Sequence, residues 1–210
     1  MRACQPKRGR YSTCFGDETS CTGCRDRSVR VGIRDFGENR VQEWLEKKNE
    51  LPKDIQWHLI GHLQTNKVKH CIARASLIHS VDSLKLAQAI EKEAAAKNWI
   101  ADCLIQVNTS GEASKFGASE HEAEKLVEEV LKLPNIQLKG LMTIGPLTED
   151  ESKIRKAFRD LRLLREKMAE QFPKSDFKFL SMGMSDDFEI AVEEGANLLR
   201  IGRAVFGERK

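Results

Sequence analysis

Two segments near the C-terminus combine glycine with hydroxyl or cationic side chains. Ser181-Met-Gly-Met-Ser185 carries two hydroxyls around a glycine, and Arg200-Ile-Gly-Arg203 carries two guanidinium groups around another. Each segment begins where a short apolar run typical of a strand ends. Hydroxyls, guanidinium groups and the backbone N–H groups that glycine leaves accessible are ligands that proteins use for phosphate. The two segments therefore predict a phosphate-binding site.

The acidic residues beside the first segment favour a different interpretation. Asp186 and Asp187 follow it directly and would open a helix, but they place negative charge next to a bound anion. In this interpretation the segment is only a helix cap, and the arginine at the strand end is paired with an acid.

The five histidines show no metal-binding pattern. His58 alternates with apolar residues in a strand, as a hydrogen-bonded core histidine does, whereas His62 lies just beyond the strand end and could face a ligand. His70, His79 and His121 have no ligand spacing to one another, so we expect no metal. The chain also lacks the Gly-x-Ser-x-Gly and Gly-x-x-x-x-Gly-Lys motifs of common hydrolases and nucleotide hydrolases.

From residue 31 onward, short apolar runs alternate with helical patterns. Helices are predicted at 119–133 and 152–172, after Ser83, and from Ser185 to Gly195. Such alternation implies a parallel sheet with right-handed crossovers. The predicted strands are 33–36, 55–59, 77–81, 103–107, 138–144, 177–180 and 198–201.

We expect an α/β fold, a TIM-type (β/α)₈ barrel, although seven strands are one fewer than closure needs. Either the eighth strand lies in residues 1–30, which show no apolar strand pattern, or the first β/α unit is degenerate or missing. An open doubly wound sheet is the alternative, but no glycine-rich dinucleotide turn follows the first strand. Six loops that follow predicted strands mix glycine with polar side chains, so we expect the site at the C-terminal ends of the strands.

Residues 1–30 form a segment of their own in the predicted domain organisation, before a barrel domain at 31–210. They hold seven Lys/Arg and three Asp/Glu, a charge of +4, which leaves −1 for the remainder because the total is +3. A basic arm can bind nucleic acid, but this one lacks interleaved aromatic residues and helical periodicity. It is predicted to be solvated and poorly ordered.

The cysteines separate into two groups. Cys21 and Cys24 have metal-ligand spacing, but the other two cysteines of the arm, Cys4 and Cys14, are too far apart for a typical zinc ribbon. Cys71 and Cys103 lie in apolar segments and are predicted to be reduced core residues.

The composition is that of a globular domain. The 210 residues are 40% hydrophobic and 32% charged. No run approaches the roughly 18 apolar residues of a membrane span, and no apolar signal segment is visible at the N-terminus. We therefore expect a cytoplasmic protein.

Read in order, the strand-end motifs resemble those of the pyridoxal-phosphate homeostasis proteins. The resemblance extends from about residue 31 to the C-terminus. The motifs are Phe36-Gly-Glu-Asn-Arg-Val-Gln-Glu43, Trp57-His-Leu-Ile-Gly-His-Leu-Gln64, Val107-Asn-Thr-Ser-Gly111, Gly140-Leu-Met-Thr-Ile-Gly145, Leu180-Ser-Met-Gly-Met-Ser-Asp186 and Arg200-Ile-Gly-Arg-Ala-Val-Phe-Gly-Glu-Arg209.

The resemblance implies a monomeric single-domain barrel, related to the N-terminal domain of alanine racemase, that binds pyridoxal 5′-phosphate (PLP). Such proteins buffer PLP or deliver it, with PLP-dependent apoenzymes as partners, and lack robust catalytic turnover. Carried over by motif, Arg200 faces the pyridine nitrogen and disfavours its protonation. The resemblance places Ser181, Met182, Ser185, Gly202 and Arg203 around the phosphate, and Asn39, His62 and Met142 along the ring.

One residue that the resemblance implies, the lysine that binds PLP, is absent. The family's first strand ends in a lysine that forms the Schiff base with PLP, about eighteen residues before Phe36, which here is near Glu18. No lysine lies between Lys7 and Lys47. One explanation is a shifted reading frame at the 5′ end of the gene, which transcript sequencing would test. The other is a true variant that has lost covalent PLP chemistry.

Two alternatives to a PLP carrier follow from the sequence. The first is a racemase-like PLP enzyme acting on amino acids, but the fold's racemases use the lysine together with a tyrosine from a second domain. This chain's one tyrosine is Tyr11, within the arm. The second alternative is a non-functional variant that no longer binds PLP covalently.

Overall fold

Eight parallel strands form a closed barrel, and each pairs with its sequence neighbour, as β8 does with β1. The computed structural model describes residues 27–112 and 115–206, together with the backbone of 12–16. The strands are β1 (Ser12–Gly16), β2 (Asp35–Glu38), β3 (Gln56–Leu59), β4 (Leu77–Val81), β5 (Ala101–Gln106), β6 (Ile136–Met142), β7 (Phe179–Ser181) and β8 (Leu198–Ile201). The predicted barrel is confirmed.

Helices cover the outside of the barrel between successive strands. Ser83 and Ser119 cap two of them, since their hydroxyls accept hydrogen bonds from the backbone N–H groups of Leu86 and Glu122. The helices are α1 (Val41–Lys47), α2 (Val68–Cys71), α3 (Leu84–Ala95), α4 (Glu120–Val130), α5 (Glu151–Gln171), α6 (Phe188–Glu193) and α7 (Arg203–Phe206), with a 3₁₀ turn at Thr65–Lys67. The predicted long helices are present within one to three residues of their expected ends.

Strand β1 is the eighth strand, which the sequence analysis did not locate. In β1, Phe15 is in register with Phe36 of β2, and Cys14 is in register with Arg200 of β8. The eighth strand thus lies within residues 1–30, formed by Ser-Thr-Cys-Phe-Gly, which has no alternating apolar pattern. Most of residues 1–30 lies outside the described residues, so the poorly ordered arm stays a prediction.

The apolar core has two layers. The larger lies between the sheet and the helices and includes Phe158 and Ile105. The smaller consists of strand residues inside the barrel: Leu77, Leu104, Met142 and Leu198, with Phe179 and Ile60 against them. Burial in these layers stabilises the barrel and leaves the loops at the strand ends to form the site.

Two further sequence predictions concern buried thiols and membrane segments. Cys71 and Cys103 are free and buried, as expected, and burial raises the pKa of both thiols, that of Cys71 to about 12. Neither thiol is therefore a reactive nucleophile at neutral pH. Within the described residues, no helix has the length and apolar character needed to cross a bilayer.

Candidate functional site

Arg200 is the buried cation of the barrel interior. Its Nη1 donates to Ser181 Oγ at 2.8 Å and its Nη2 donates to the Thr143 carbonyl at 2.8 Å. Because these partners end β7 and follow β6, the guanidinium is fixed at the C-terminal ends of three neighbouring strands. A fixed guanidinium is suited to meet a neutral or anionic ligand atom without reorganising.

The loop after β7 and the loop after β8 lie side by side. The backbone N–H of Ala204 donates to Ser185 Oγ at 3.2 Å, and Arg203 forms an exposed ion pair with Asp186. The structure therefore brings together three of the predicted phosphate ligands, Ser185, Gly202 and Arg203. Asp186 is adjacent to them, as the sequence predicted, and already pairs with the Arg203 guanidinium.

Two other predicted phosphate ligands lie deeper. Ser181 is fully buried, and its hydroxyl contacts both Arg200 and His79. The Met182 side chain is buried in the outer core layer, and its N–H donates to the Leu198 carbonyl at 3.2 Å. The structure thus does not bring the Met182 side chain to Ser185, Gly202 and Arg203.

The turn between β7 and α6 depends on a glycine and an aspartate. Gly183 has φ +92°, and a Cβ there would lie 2.6 Å from the Ala191 Cβ, so only glycine fits. The backbone N–H of Met184 donates to Asp187 Oδ1 at 2.6 Å. Burial raises the pKa of Asp187, although this hydrogen bond opposes the shift. Asp187 occupies the N-cap position of α6, and its carboxylate stabilises the preceding loop.

Asn39 and His62 line one cavity of about 210 Å³ outside the ends of β2 and β3, and Lys67 lines it as well. His62 Nδ1 lies 3.3 Å from Asp82 Oδ2, and its ring stacks on Phe116 with centroids 4.0 Å apart. This stacking and pairing fix the orientation of the imidazole. These two predicted ring contacts are thus brought together.

Met142, the third predicted ring contact, lies elsewhere. Its side chain is fully buried with Leu77, Leu104 and Leu198 inside the barrel. It supports the end of β6, next to Thr143, whose carbonyl accepts from Arg200. Its contact with a ring stays a prediction.

Sequence reasoning missed that His58 and His79 contact each other. His58 Nδ1 lies 3.0 Å from His79 Nε2, and His79 Nδ1 lies 3.0 Å from Ser181 Oγ. The histidines are twenty-one residues apart, so no local spacing reveals them. The available signal was that both lie in adjacent parallel strands at positions facing the same side.

A lysine that the sequence analysis did not single out also lies at this end of the barrel. Lys115 Nζ donates to the Gly145 carbonyl at 2.9 Å and to Glu112 Oε1 at 2.8 Å. It joins the loop after β5 to the loop after β6. Both contacts hold the ammonium in place beside the strand ends.

The residues fit part of what PLP requires. Ser185, Gly202 and Arg203 offer a hydroxyl, an accessible backbone and a cation to a phosphate, and Arg200 offers a fixed donor to a pyridine nitrogen. Strand β1 contains no lysine, so it offers no amine to the aldehyde.

Within the described residues, no group of three His, Cys, Asp or Glu side chains is arranged to hold a metal ion. The side chains of Cys4, Cys14, Cys21 and Cys24 lie outside the described residues. The prediction about these four cysteines stays a prediction.

Comparisons with known proteins identify the family. A pyridoxal phosphate homeostasis protein of Aquifex aeolicus is 47% identical over 180 residues, which span 85% of this chain and 78% of that protein. The human protein of the same name is 42% identical over 190 residues, 85% of this chain and 69% of that one. The structure of PipY of Synechococcus elongatus with PLP bound has a TM-score of 0.87 at 31% identity, covering 94% of this chain and 93% of that one.

More distant structures share the fold alone. An alanine racemase of Clostridium difficile, in complex with cycloserine, has a TM-score of 0.80 at 15% identity, covering 97% of this chain and 56% of that one. The family model of the alanine racemase N-terminal domain matches residues 26–210. The chain therefore belongs to the alanine racemase N-terminal domain family and, within it, to the pyridoxal phosphate homeostasis proteins.

Proposed function

We propose that this protein binds PLP at the C-terminal end of the barrel and takes part in PLP homeostasis, buffering or delivering the cofactor without substantial catalysis. The observation that carries the proposal is the 47% identity to a relative named for this role. The PLP-bound structure of PipY, which shares 31% of its sequence with this chain, supports the cofactor assignment.

The described residues would hold PLP by noncovalent contacts. Ser185, Gly202 and Arg203 would bind the phosphate, and Arg200 would donate to the pyridine nitrogen. PLP supplies an aldehyde and an electron-accepting ring when bound. An arginine at the pyridine nitrogen keeps that nitrogen unprotonated, which makes the ring a weak electron acceptor and supports a carrier rather than an enzyme.

The missing lysine supports the same proposal. Amino-acid racemisation needs an acid/base group on each side of the substrate, and the strand that carries the family's lysine contains no lysine here. We propose noncovalent binding, a monomeric state, a cytoplasmic location and transfer to PLP-dependent apoenzymes. A racemase-like activity is the competing function.

The test combines titration with chemical trapping. The full chain is titrated with PLP by absorbance, reduced with borohydride, and its lysines are mapped by peptide mass spectrometry. We expect saturable one-to-one binding with no stoichiometric reduced adduct. Lys67 and Lys115 are the described lysines to inspect first, because both lie at the strand ends.

Other outcomes change the proposal in defined ways. A single stoichiometric adduct, at Lys7 for example, would show that another lysine replaces the missing one and that binding is covalent. Absence of saturable binding would overturn the proposal. Turnover of an amino acid by the PLP-loaded chain would favour the racemase-like alternative.

A further inference from the structure

A continuous row of polar side chains crosses the barrel interior. It begins at Asp35 in β2 and passes through His58 in β3 and His79 in β4 to Ser181 in β7. It ends at Arg200 in β8. The successive separations are 3.3, 3.0, 3.0 and 2.8 Å. His58, His79, Ser181 and Arg200 are each 7% exposed or less.

The strand register explains why these side chains meet. Asp35 is in register with Gln56 and His58 with Leu77, while Ser181 is in register with Leu198. Each move from β2 to β3, from β3 to β4 and from β7 to β8 therefore advances two residues toward the C-terminal end. Residues two apart face the same side of a strand, so the row climbs from one end of the barrel to the other.

The chemistry of the two ends fixes the direction of the hydrogen bonds. Arg200 can only donate, so Ser181 Oγ accepts from it, and Asp35 at the other end can only accept when ionised. If both histidines are neutral, His58 must carry its proton on Nε2 to donate to Asp35. Its Nδ1 then accepts from His79 Nε2–H, and His79 Nδ1 accepts the Ser181 hydroxyl proton. Every bond in the neutral row thus points from Arg200 toward Asp35.

Protonation of His58 reverses the middle of the row. A second proton on His58 Nδ1 must be donated to His79 Nε2, which forces the His79 proton onto Nδ1. His79 then donates to Ser181 Oγ, so the Ser181 hydroxyl keeps its proton but must turn it toward an acceptor outside the row. The atom that accepts from Arg200 changes its hydrogen bonding without any movement of the backbone.

His58 lies beside a cavity as well as within the row. A cavity of about 230 Å³ at the N-terminal end of the barrel is lined by Asp35 and His58. The other charged groups that line it are Asp102, Lys139, Asp176 and Lys178. Lys139 pairs with Asp176 at 3.5 Å. The Asp35 carboxylate, 3.3 Å from His58 Nε2, favours a proton on the imidazole.

We propose that His58 and His79 are positioning residues that link the protonation of the N-terminal cavity to the hydrogen bonding of Ser181 and Arg200. The link to the cofactor rests on the proposed function, because Arg200 is the expected partner of the pyridine nitrogen. Burial, then the charges of His58 and Arg200, hold the pKa of His79 well below its usual range, so His79 stays neutral. His79 carries one proton in both states, and only the nitrogen that holds this proton changes.

The first test needs no cofactor. In the full chain with ¹⁵N-labelled histidine, NMR shifts of the ring nitrogens report each tautomer. At pH 8 we expect Nε2–H tautomers for both His58 and His79. As the pH falls, His79 should switch to the Nδ1–H tautomer at the same midpoint at which His58 gains its proton. An Nδ1–H tautomer of His79 at pH 8, or independent midpoints, would overturn the proposal.

A second test links the row to the ligand. The Kd of PLP is measured from pH 8 to pH 5.5 for the wild type and for His79→Gln, with exposed His70→Gln as the matched control. The ionisations of PLP are common to all three, so the difference isolates the row. We compare the ratio of the Kd at pH 5.5 to the Kd at pH 8. We expect this ratio to differ by about threefold or more between His79→Gln and the wild type, and to be the same in His70→Gln and the wild type.

The two tests separate the two proposals. If no chain binds PLP but the tautomers switch together, the proposed function fails and the row survives. If all chains bind PLP with identical pH profiles, the proposed function stands and the positioning role is contradicted. His58→Gln, which should show the same profile as His79→Gln, guards against a folding defect in either variant.

Discussion

Arg203 is paired with Asp186 on the surface, so a phosphate that reaches this arginine competes with a carboxylate. Both side chains are more than half exposed. Exposed ion pairs are worth about 0.2–1 kcal/mol. The pair is therefore weak enough for a dianion to displace, yet it reduces the affinity that the arginine would otherwise give.

Asp186→Asn should bind PLP more tightly than the wild type, by about two- to fivefold, because it removes the competing charge. The measurement is the Kd by absorbance titration at low ionic strength. Asp54→Asn is the matched control, since Asp54 forms an exposed pair with Arg34 before β3. Equal or weaker binding by Asp186→Asn would place the phosphate away from Arg203.

At the scale of elements, strand β7 approaches β6 so closely that a side chain would not fit between them. Gly140 has φ +147°, and a Cβ there would lie 1.9 Å from the Phe179 carbonyl oxygen. The obstacle is backbone rather than a flexible side chain, so relief requires the two strands to separate. Such separation would displace Ser181 and Thr143, both of which hold Arg200.

Gly140→Ala should lower the free energy of unfolding by about 2–4 kcal/mol, from backbone strain together with overpacking. Urea denaturation followed by circular dichroism measures it. Gly32→Ala is the control, since Gly32 also has positive φ, but a Cβ added there would have no described atom within 4 Å. A loss no larger than that of the control would show that β6 and β7 can adjust.

Sequence patterns were sufficient for seven strands and four helices. They were insufficient for the short helices α1, α2 and α7, for strand β1 and for the His58–His79 contact. The long helices were predictable because their apolar residues repeat at the helical period, as in α5, and seven strands because they are short apolar runs between the helices. Strand β1 was not, because closure of the barrel supplies both of its neighbours and no apolar pattern is needed. The His58–His79 contact was not, because it depends on strand register, which the sequence does not display.

The residues of the candidate site also differ in how well the sequence predicts which of them lie together. The proximity of Ser185, Gly202 and Arg203 was predictable because they follow two strands that are adjacent in the barrel, whereas their contact with a phosphate stays a prediction. Met182 was grouped with them by the motif, but strand alternation turns its side chain into the outer core. A motif lists neighbours in sequence, whereas the sheet decides which face each one occupies.

At the scale of the whole molecule, one carboxylate joins the longest helix to the last β/α unit. Glu194, just beyond α6, lies 3.2–3.6 Å from the guanidinium groups of Arg155, Arg159 and Arg162 on α5. Burial opposes its ionisation, but the hydrogen bonds from Arg159 and Arg155 outweigh burial and lower its pKa. An acid whose pKa is lower in the folded state stabilises the fold above its unfolded pKa, and this contribution is lost as the pH falls through the folded value.

Glu194→Gln should lower the free energy of unfolding by about 1.5–3 kcal/mol at pH 7, the range for hydrogen bonds to charged groups. The difference in the free energy of unfolding between Glu194→Gln and the wild type should become smaller as the pH falls below about 4.3, the ordinary pKa of Glu. Urea titrations at several pH values measure both. Glu166→Gln is the control, because Glu166 is more exposed and pairs with Arg162 on its own helix. A pH-independent difference would mean that packing, not charge, causes the loss.

Because β1 pairs with β8, the barrel can close only after β8 has been synthesised. Strand β1 leaves the ribosome first, but one of its two hydrogen-bonded partners is the last strand made. Until β8 emerges, β1 and β7 each keep an open edge, and such edges can pair with other chains. Contacts between the two ends of a chain also form slowly. The barrel therefore stays open, with unpaired strand edges, until the strand that also contains Arg200 has been synthesised.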